Sequence, residues 1–424
     1  MKNLKNSGIE WLGEIPEHWE VVKGFFLFFS KKELNLNFQC KDRLALTLNG
    51  VIEKSISQND GLNPLDFRTY QIFEKNDLVF KLIDLDNINT SRVGYVHKKG
   101  IMSSAYIRLI SKNKNYPKYF FYYYYNLYIK QIFNNLGTGV RATLKPDELL
   151  SIKLCYPPLK EQEQIANFLD EKCEKIQNFI EKKEKLLSLL QEQKQALINE
   201  TITKGLDKNV KLKNSGIEWL GEIPEHWEMV KLKYVAFTNI GLVYTPDDII
   251  ENSNEGYPVL RANNIQNGKI DYQDLIYIKS EQIGKKQITS KGDLLMCVRN
   301  GSENLLGKTA KIQDRGFSFG AFTAIIKSQF NNYFYWIFQT NMLRKSIASF
   351  SASNGIGQIS QDDIKNFIIS FPPLKEQEQI ANFLDEKCEK IDSLITKIKK
   401  QIELIKEYKT TLINEAVCGR MDLK

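Results

Sequence analysis

Histidine is nearly missing from this chain: three occur in 424 residues. His18 and His226 fall at the same place in an internal repeat, inside "PEHWE", and His97 stands alone. A repeated histidine with no partner reads as a turn residue rather than a catalytic base. The six cysteines (40, 155, 173, 297, 388 and 418) show no CxxC spacing. That argues against a zinc site or a disulfide framework and fits reduced, cytosolic thiols. No run of eighteen uncharged apolar residues is present to span a membrane. The opening "MKNLKNSGIEW" lacks the apolar core of a secretory signal. There is no GxxxxGK[ST] loop for a nucleotide and no Asn/Asp-Pro-Pro-Tyr/Phe motif of the adenine-methyltransferase kind. "GTG" at Gly137 and "GIG" at Gly355 are too short for a dinucleotide loop and read as turns. Acid–lysine clusters such as Asp170-Glu171-Lys172 resemble nuclease fragments, but chance supplies such matches in a chain that is 26% charged.

What is present is duplication. "LKNSGIEWLGEIPEHWE" spans Leu4–Glu20 and recurs letter for letter at Leu212–Glu228. "PPLKEQEQIANFLDEKCEKI" spans Pro157–Ile176 and recurs at Pro372–Ile391. A weaker match pairs "LINETITKG" at Leu197–Gly205 with "LINEAVCGR" at Leu412–Arg420. The order is opening motif, variable segment, long motif, then all three again. The variable segments, Val21–Tyr156 and Met229–Phe371, have diverged almost completely. One local match survives, "LKPDELLSIKL" (Leu144–Leu154) against "ISQDDIKNFII" (Ile359–Ile369). Ser360 with Asp363 reads as a helix capping box and Pro146 suits a first helical turn. A short strand ended by the double proline should follow in each copy.

The long motifs open stretches without glycine or proline, about 161–203 and 376–416. In the second, Ile380, Leu384, Cys388, Ile391, Ile395, Ile398, Ile402, Ile405 and Leu412 recur at the 4-3-4-3 spacing of a heptad seam. The first matches with Ile165, Leu169, Cys173, Ile176, Ile180, Leu187, Leu190 and Leu197. It is interrupted at Lys183 and Lys194, where a lysine stem can lie along the seam. Forty helical residues reach about 60 Å. Alone, such a helix leaves its stripe wet; two copies bury it against each other, antiparallel if pseudo-two-fold symmetry holds. The repeated opening motif is expected to pack on the far helix and to close a pseudo-symmetric ring of the chain.

Charge separates the repeated parts from the variable ones. The chain carries a net +8. Pro157–Thr203 holds seven lysines against nine acids, net −2, and Pro372–Leu412 holds eight of each, net 0. The remainder therefore carries 8 + 2 = +10, placed where a polyanion would be read. The variable segments look strand-rich: "DRLALTLNGVIE", "DLVFKLIDL" and "SSAYIRLI" in the first, "YPVLRANNIQNGKID", "GDLLMCVRNGS" and "GKTAKI" in the second. The aromatic runs "KYFFYYYYNLYIKQIF" (Lys118–Phe133) and "YFYWIFQTNMLRKSI" (Tyr333–Ile347) read as core helices rather than base-stacking platforms. Major-groove reading needs Arg for guanine and Asn or Gln for adenine. Arg68, Arg92 and Arg141 flank strand-like runs in the first segment, as do Arg261, Asn263, Asn264, Arg299, Asn300 and Ser302 in the second. Lys81, Lys98, Lys285, Lys286 and Lys308 suit phosphate contacts.

This layout resembles the specificity subunit of type I restriction–modification enzymes over essentially the full chain. The carrying residues are "SGIEWLGEIPEHWE" and the doubled "PPLKEQEQIANFLDEK". "GDLL" (Gly292–Leu295) and "GKTAKI" (Gly307–Ile312) look like elements of that family's target-recognition domains, and "NDLVF" (Asn76–Phe80) is a looser version. The resemblance implies an α+β chain: two globular α/β target-recognition domains separated by two long antiparallel coiled-coil helices, as a pseudo-two-fold internal repeat. Its parts would be 1–156, a target-recognition domain; 157–203, a long helix; 204–371, the second target-recognition domain; and 372–424, the second helix. Each domain would read one half of a split site on double-stranded DNA, and the helices would set the spacer and dock two methylation subunits. The chain itself would bind no cofactor or metal and catalyse nothing. S-adenosylmethionine, ATP and Mg²⁺ would belong to the methylation and restriction subunits, and the whole would be cytoplasmic. Two other classes compete: a protein-only coiled-coil scaffold, and a nuclease or methyltransferase with a cryptic site.

Overall fold

Each variable segment begins and ends on paired strands. Glu20–Lys23 lies antiparallel to Lys153–Tyr156, and Glu228–Lys231 lies antiparallel to Ile368–Phe371. Chain ends held side by side let a whole domain be inserted between the repeated motifs. The computed structural model describes residues 3–55, 66–85, 92–112, 115–137, 143–217, 220–250, 255–299, 305–341, 346 and 358–422. It divides into two compact units, Met1–Glu184 with Lys399–Lys424, and Lys185–Ile398.

In the first unit the opening motif forms a hairpin, Leu4–Asn6 against Glu14–Pro16. The variable segment builds two four-stranded sheets. One runs in the order Gly50–Lys54, Arg43–Thr47, Gly100–Met102, Gln71–Phe73; the other Phe28–Ser30, Ile107–Ser111, Leu78–Phe80, Val93–Tyr95. The aromatic run forms the helix Pro117–Ile129, with proline in its first turn. Tyr119, Phe120, Tyr123, Tyr124 and Leu127 are buried, as expected of a core helix. Tyr124 meets Phe80 edge-on at 5.0 Å and Phe120 meets Phe28 at 5.3 Å.

In the second unit a six-stranded sheet carries Phe237–Ile240, Thr323–Lys327, Leu294–Cys297 and Thr309–Lys311 as successive neighbours. A four-stranded sheet accompanies it. The helix Asn331–Phe338 buries Tyr333, Phe334, Trp336 and Ile337. The matched stretches behave alike. Pro146–Ser151 and Gln361–Asn366 are short helices, each followed by the strand that ends at a double proline. Ser360 Oγ accepts from Asp363 N at 3.1 Å, and Asp363 accepts from Ser360 N at 2.8 Å, closing the capping box.

The long helices run Leu159–Lys204, 46 residues, and Leu374–Val417, 44 residues. The first is followed by Gly205 at φ +75° and the second by Gly419 at φ +70°, the left-handed ending that glycine adopts without strain. In the second unit Lys194 meets Asp392, and Lys204 lines one cavity with Gln379 and Ile380. One helix rises as the other descends, so the pairing is antiparallel. The first unit repeats this, with Cys173, Gln177 and Glu181 lining a cavity shared with Lys409 and Ile413. All seventeen expected seam residues are buried or half-buried. Ile198 and Ile202, outside the expected seam, are also buried and join the core around Trp227 and Leu384.

Candidate nucleic-acid interface

The repeated motifs form a seat for each sheet domain. In the first unit Trp19 has no exposed surface, and its indole N–H donates to Glu161 Oε2 at 2.9 Å. His18 Nε2 lies 2.7 Å from the other oxygen of that carboxylate. In the second unit Trp227 and His226 hold Glu376 at the same 2.9 and 2.7 Å. The next residue does a second job. Gln162 is buried, donates to the carbonyl of Pro157 at 2.8 Å and accepts from the Tyr116 amide at 3.0 Å. Gln377 donates likewise to Pro372 at 2.7 Å. The "EQ" after the double proline thus ties the opening motif and the helix start together, and Gln162 adds the aromatic helix.

The other helix end closes the seat. Arg420 donates to the carbonyls of Leu12 at 2.6 Å and Glu14 at 3.3 Å. A Cβ on Gly419 would lie 2.6 Å from Pro16 and 2.7 Å from Trp19. Gly205 stands against Trp227 and Pro224 in the second unit. The opening motif therefore does pack on the end of the other copy's helix. Each domain is also tied at one repeated aspartate: Tyr122 donates to Asp170 at 2.7 Å, and Trp336 to Asp385 at 2.9 Å. His18 and His226 sit in turns, as expected, but each also has a partner the sequence did not announce, the carboxylate of Glu161 or Glu376.

The candidate reading residues scatter in behaviour. Lys285 and Lys286 are exposed on the turn Lys285–Gln287, Asn263 is exposed on the separate turn Ala262–Asn264, and Arg299 is exposed after the strand Leu294–Cys297. Arg68 is exposed, with Nε on Asp66 at 2.7 Å. Lys98 is half-buried and paired with Glu53 at 2.7 Å, which raises its pKa through that hydrogen bond. Lys81 is half-buried, and Lys308 reaches the Ile265 carbonyl at 3.3 Å. Arg261 donates to the Asp274 carbonyl at 2.8 Å.

Two residues expected at a groove are turned inward instead. Arg92 is 2% exposed and donates to the carbonyls of Ile83 at 2.9 Å and Asp84 at 2.5 Å. Asn264 is also 2% exposed and bridges the carbonyls of Asp271 and Gln273, both at 2.9 Å, while accepting from Arg261 N. Buried polar groups need such partners, and these side chains brace loops. Arg141, Asn300 and Ser302 lie outside the described residues. No sequence pattern announced the buried pair Arg108–Asp77, with Nε and Oδ2 at 2.6 Å. Burial holds the Asp77 carboxyl above its usual range even beside that guanidinium. Among the described residues no helix is long and apolar enough to cross a membrane.

Two unlike sheet domains, each seated on the same duplicated helical socket, define a two-headed recognition module. The model of the type I restriction modification DNA specificity domain matches this chain twice, at residues 45–189 and 224–404, and the chain belongs to that family. It is 27% identical over 437 residues to the type I restriction enzyme MjaVIII specificity subunit of Methanocaldococcus jannaschii, covering 97% of this chain and 94% of that protein. It is 30% identical over 210 residues to the EcoKI specificity subunit of Escherichia coli K12, covering 48% of this chain and 45% of that protein. The fold is shared with a chain solved in work on complex assembly and conformational transition of the type I R-M system, at TM-score 0.72, 13% identity and coverage of 96% and 99%. The HsdS subunit from Thermoanaerobacter tengcongensis matches at TM-score 0.51 and 14% identity, with coverage of 96% and 98%.

Proposed function

We propose that each sheet domain reads one half of a bipartite sequence on double-stranded DNA. The paired long helices fix the unread gap and dock two methylation subunits. Restriction subunits join the same assembly in the cytoplasm. The chain contributes recognition only. Adenine methylation with S-adenosylmethionine, and ATP- and Mg²⁺-dependent translocation and cleavage, belong to the partner subunits. The observation that carries this reading is the doubled socket: Trp19, His18 and Glu161 recur as Trp227, His226 and Glu376 at identical distances, beneath domains whose sequences have diverged. Constant supports under unlike readers suit a protein that must present two specificities to two identical partners. The positive balance of the variable parts suits a polyanion.

The test is methylome sequencing of a host carrying the chain with its methylation subunit. A split motif with an unread gap is expected, and a continuous motif or none would refute the reading. The purified chain alone, given DNA, Mg²⁺ and S-adenosylmethionine, should show no turnover. Its DNA binding should weaken steeply with salt, whereas a protein-only scaffold would show no such binding.

A further inference from the structure

One end of the six-stranded sheet in the second unit gathers three chain segments. Phe237–Ile240 and Leu294–Cys297 both lie antiparallel to Thr323–Lys327, so the exits of the first two meet the start of the third. Residues 241–243, 298–299 and 320–322 therefore share that end. Two glycines let the segments close up. A Cβ on Gly241 would stand 2.2 Å from the Gly320 carbonyl oxygen, which no side chain tolerates. Leu242 N donates to Phe319 O at 2.7 Å, and Thr323 closes the turn by donating its N and Oγ1 to Gly320 O at 2.9 and 2.7 Å. Phe322 O in turn accepts from Val298 N at 2.9 Å and Arg299 N at 3.3 Å.

The backbone of Phe322 is thus fixed on both sides, yet its side chain is 55% exposed, and Val243 beside this turn is 80% exposed. Scattered apolar residues on a surface need no explanation. This one differs because the Arg299 guanidinium sits over the ring, 5.3 Å from its centroid. Stacking on an aromatic face restrains a long side chain before any ligand arrives. The result is a rigid shelf with a pre-aimed, fork-shaped donor, at the end of a domain already read as a DNA reader.

We propose that Phe322 and Arg299 form a specificity-determining pair. Arg299 donates both arms to N7 and O6 of a guanine in the major groove, and the Phe322 ring holds it there. Val243 and the ring edge supply apolar contact to the neighbouring base pair. Phe322 is the positioning residue and Arg299 the base-contacting one. The proposal rests on the half-site reading above and adds which residues make the discrimination. Among the described residues of the first unit, no arginine stacks on a ring at the matching place, immediately before the strand Ile107–Ser111. The ring there, Tyr106, is half-buried, and burial raises its hydroxyl pKa. The two domains accordingly use different side chains for different sequences.

The experiment is methylome sequencing of the intact complex with Arg299→Lys, Phe322→Ala and Phe322→Tyr in the full chain. Arg299→Lys and Phe322→Ala should each relax the same single guanine position, in one half-site only, by roughly tenfold in relative methylation, because a bidentate pair discriminates at about that level. Phe322→Tyr keeps the ring and should keep the wild-type motif. Melting temperatures should stay unchanged, since both side chains are exposed. An unaltered motif in Phe322→Ala or Arg299→Lys, or an even loss of methylation at every site, would overturn the pair while leaving the split-site reading intact. A wild-type complex without a split motif would overturn both.

Discussion

Lys194 of the first long helix reaches Asp392 of the second, with Nζ 2.6 and 2.7 Å from the two carboxylate oxygens. Lys194 occupies a seam position where an apolar residue would keep the heptad. Its charge is satisfied across the helix pair while its stem lies along the groove. The pair is compatible with the antiparallel register and adds a polar tie to the apolar seam that sets it.

The contact is only partly shielded, with 26% of the lysine and 45% of the aspartate side chain exposed. Asp392→Ala is therefore expected to cost about 0.5 kcal/mol, a cost that shrinks in high salt. Urea denaturation of the single and double variants with Lys194→Ala, at low and high NaCl, measures the coupling.

The socket should be far more sensitive. Trp19→Ala and Trp227→Ala each remove a fully buried indole and should cost about 3–5 kcal/mol. Trp19→Phe keeps most of the packing but leaves Glu161 without its indole donor, at about 1 kcal/mol. Denaturant midpoints should rank the variants in that order in both copies.

Gly419→Ala combines a left-handed φ of +70° with a Cβ pressed into Pro16 and Trp19. The loss should exceed about 1 kcal/mol. Gly8→Ala serves as the comparison, since φ there is +67° but no atom stands within 4 Å. A thermal melt should show Gly419→Ala shifted well beyond Gly8→Ala.

Alkaline pH should destabilise the protein, in part through its buried thiols. Burial pushes Cys155 up to about 12 and Cys418 up to about 11, from 9.0. Well below pH 9.0 the thiol is neutral in both states and its stabilising burial is fully present. As pH rises through 9.0 toward these values only the unfolded chain ionises, so stability falls. Urea midpoints measured across that window should drop less steeply for Cys155→Ala/Cys418→Ala. Both thiols should resist a disulfide reagent at pH 8 until denaturant is added.

Adding one heptad to each long helix keeps the seam in phase and lengthens the pair by about 10 Å. Under the half-site reading the unread gap should grow by about three base pairs, at about 3.4 Å each, with both halves unchanged. Methylome sequencing of that variant decides it.

The repeats, the heptad spacing, the capping box at Ser360 and the aromatic core helices were all legible, because each is a local pattern. The reason for the doubled "EQ" was not. Glu161 and Gln162 act on residues more than forty positions away in sequence, at Trp19 and Tyr116, and no periodicity announces such contacts. Arg92 and Asn264 misled for a related reason: residue type shows what a side chain can bond to, not which way the backbone turns it. Phe322 escaped notice because an aromatic in a strand-like run is ordinarily core, whereas here it is exposed beside the close approach of Gly241 to Gly320 from another segment.

The identical carboxylate clasps have a genetic consequence. A recombination event between the two duplicated stretches of the gene, or with a related gene carrying them, would deliver a foreign reader onto a mount that already fits it. New sequence preferences could then arise in one step, without any intermediate that fails to fold.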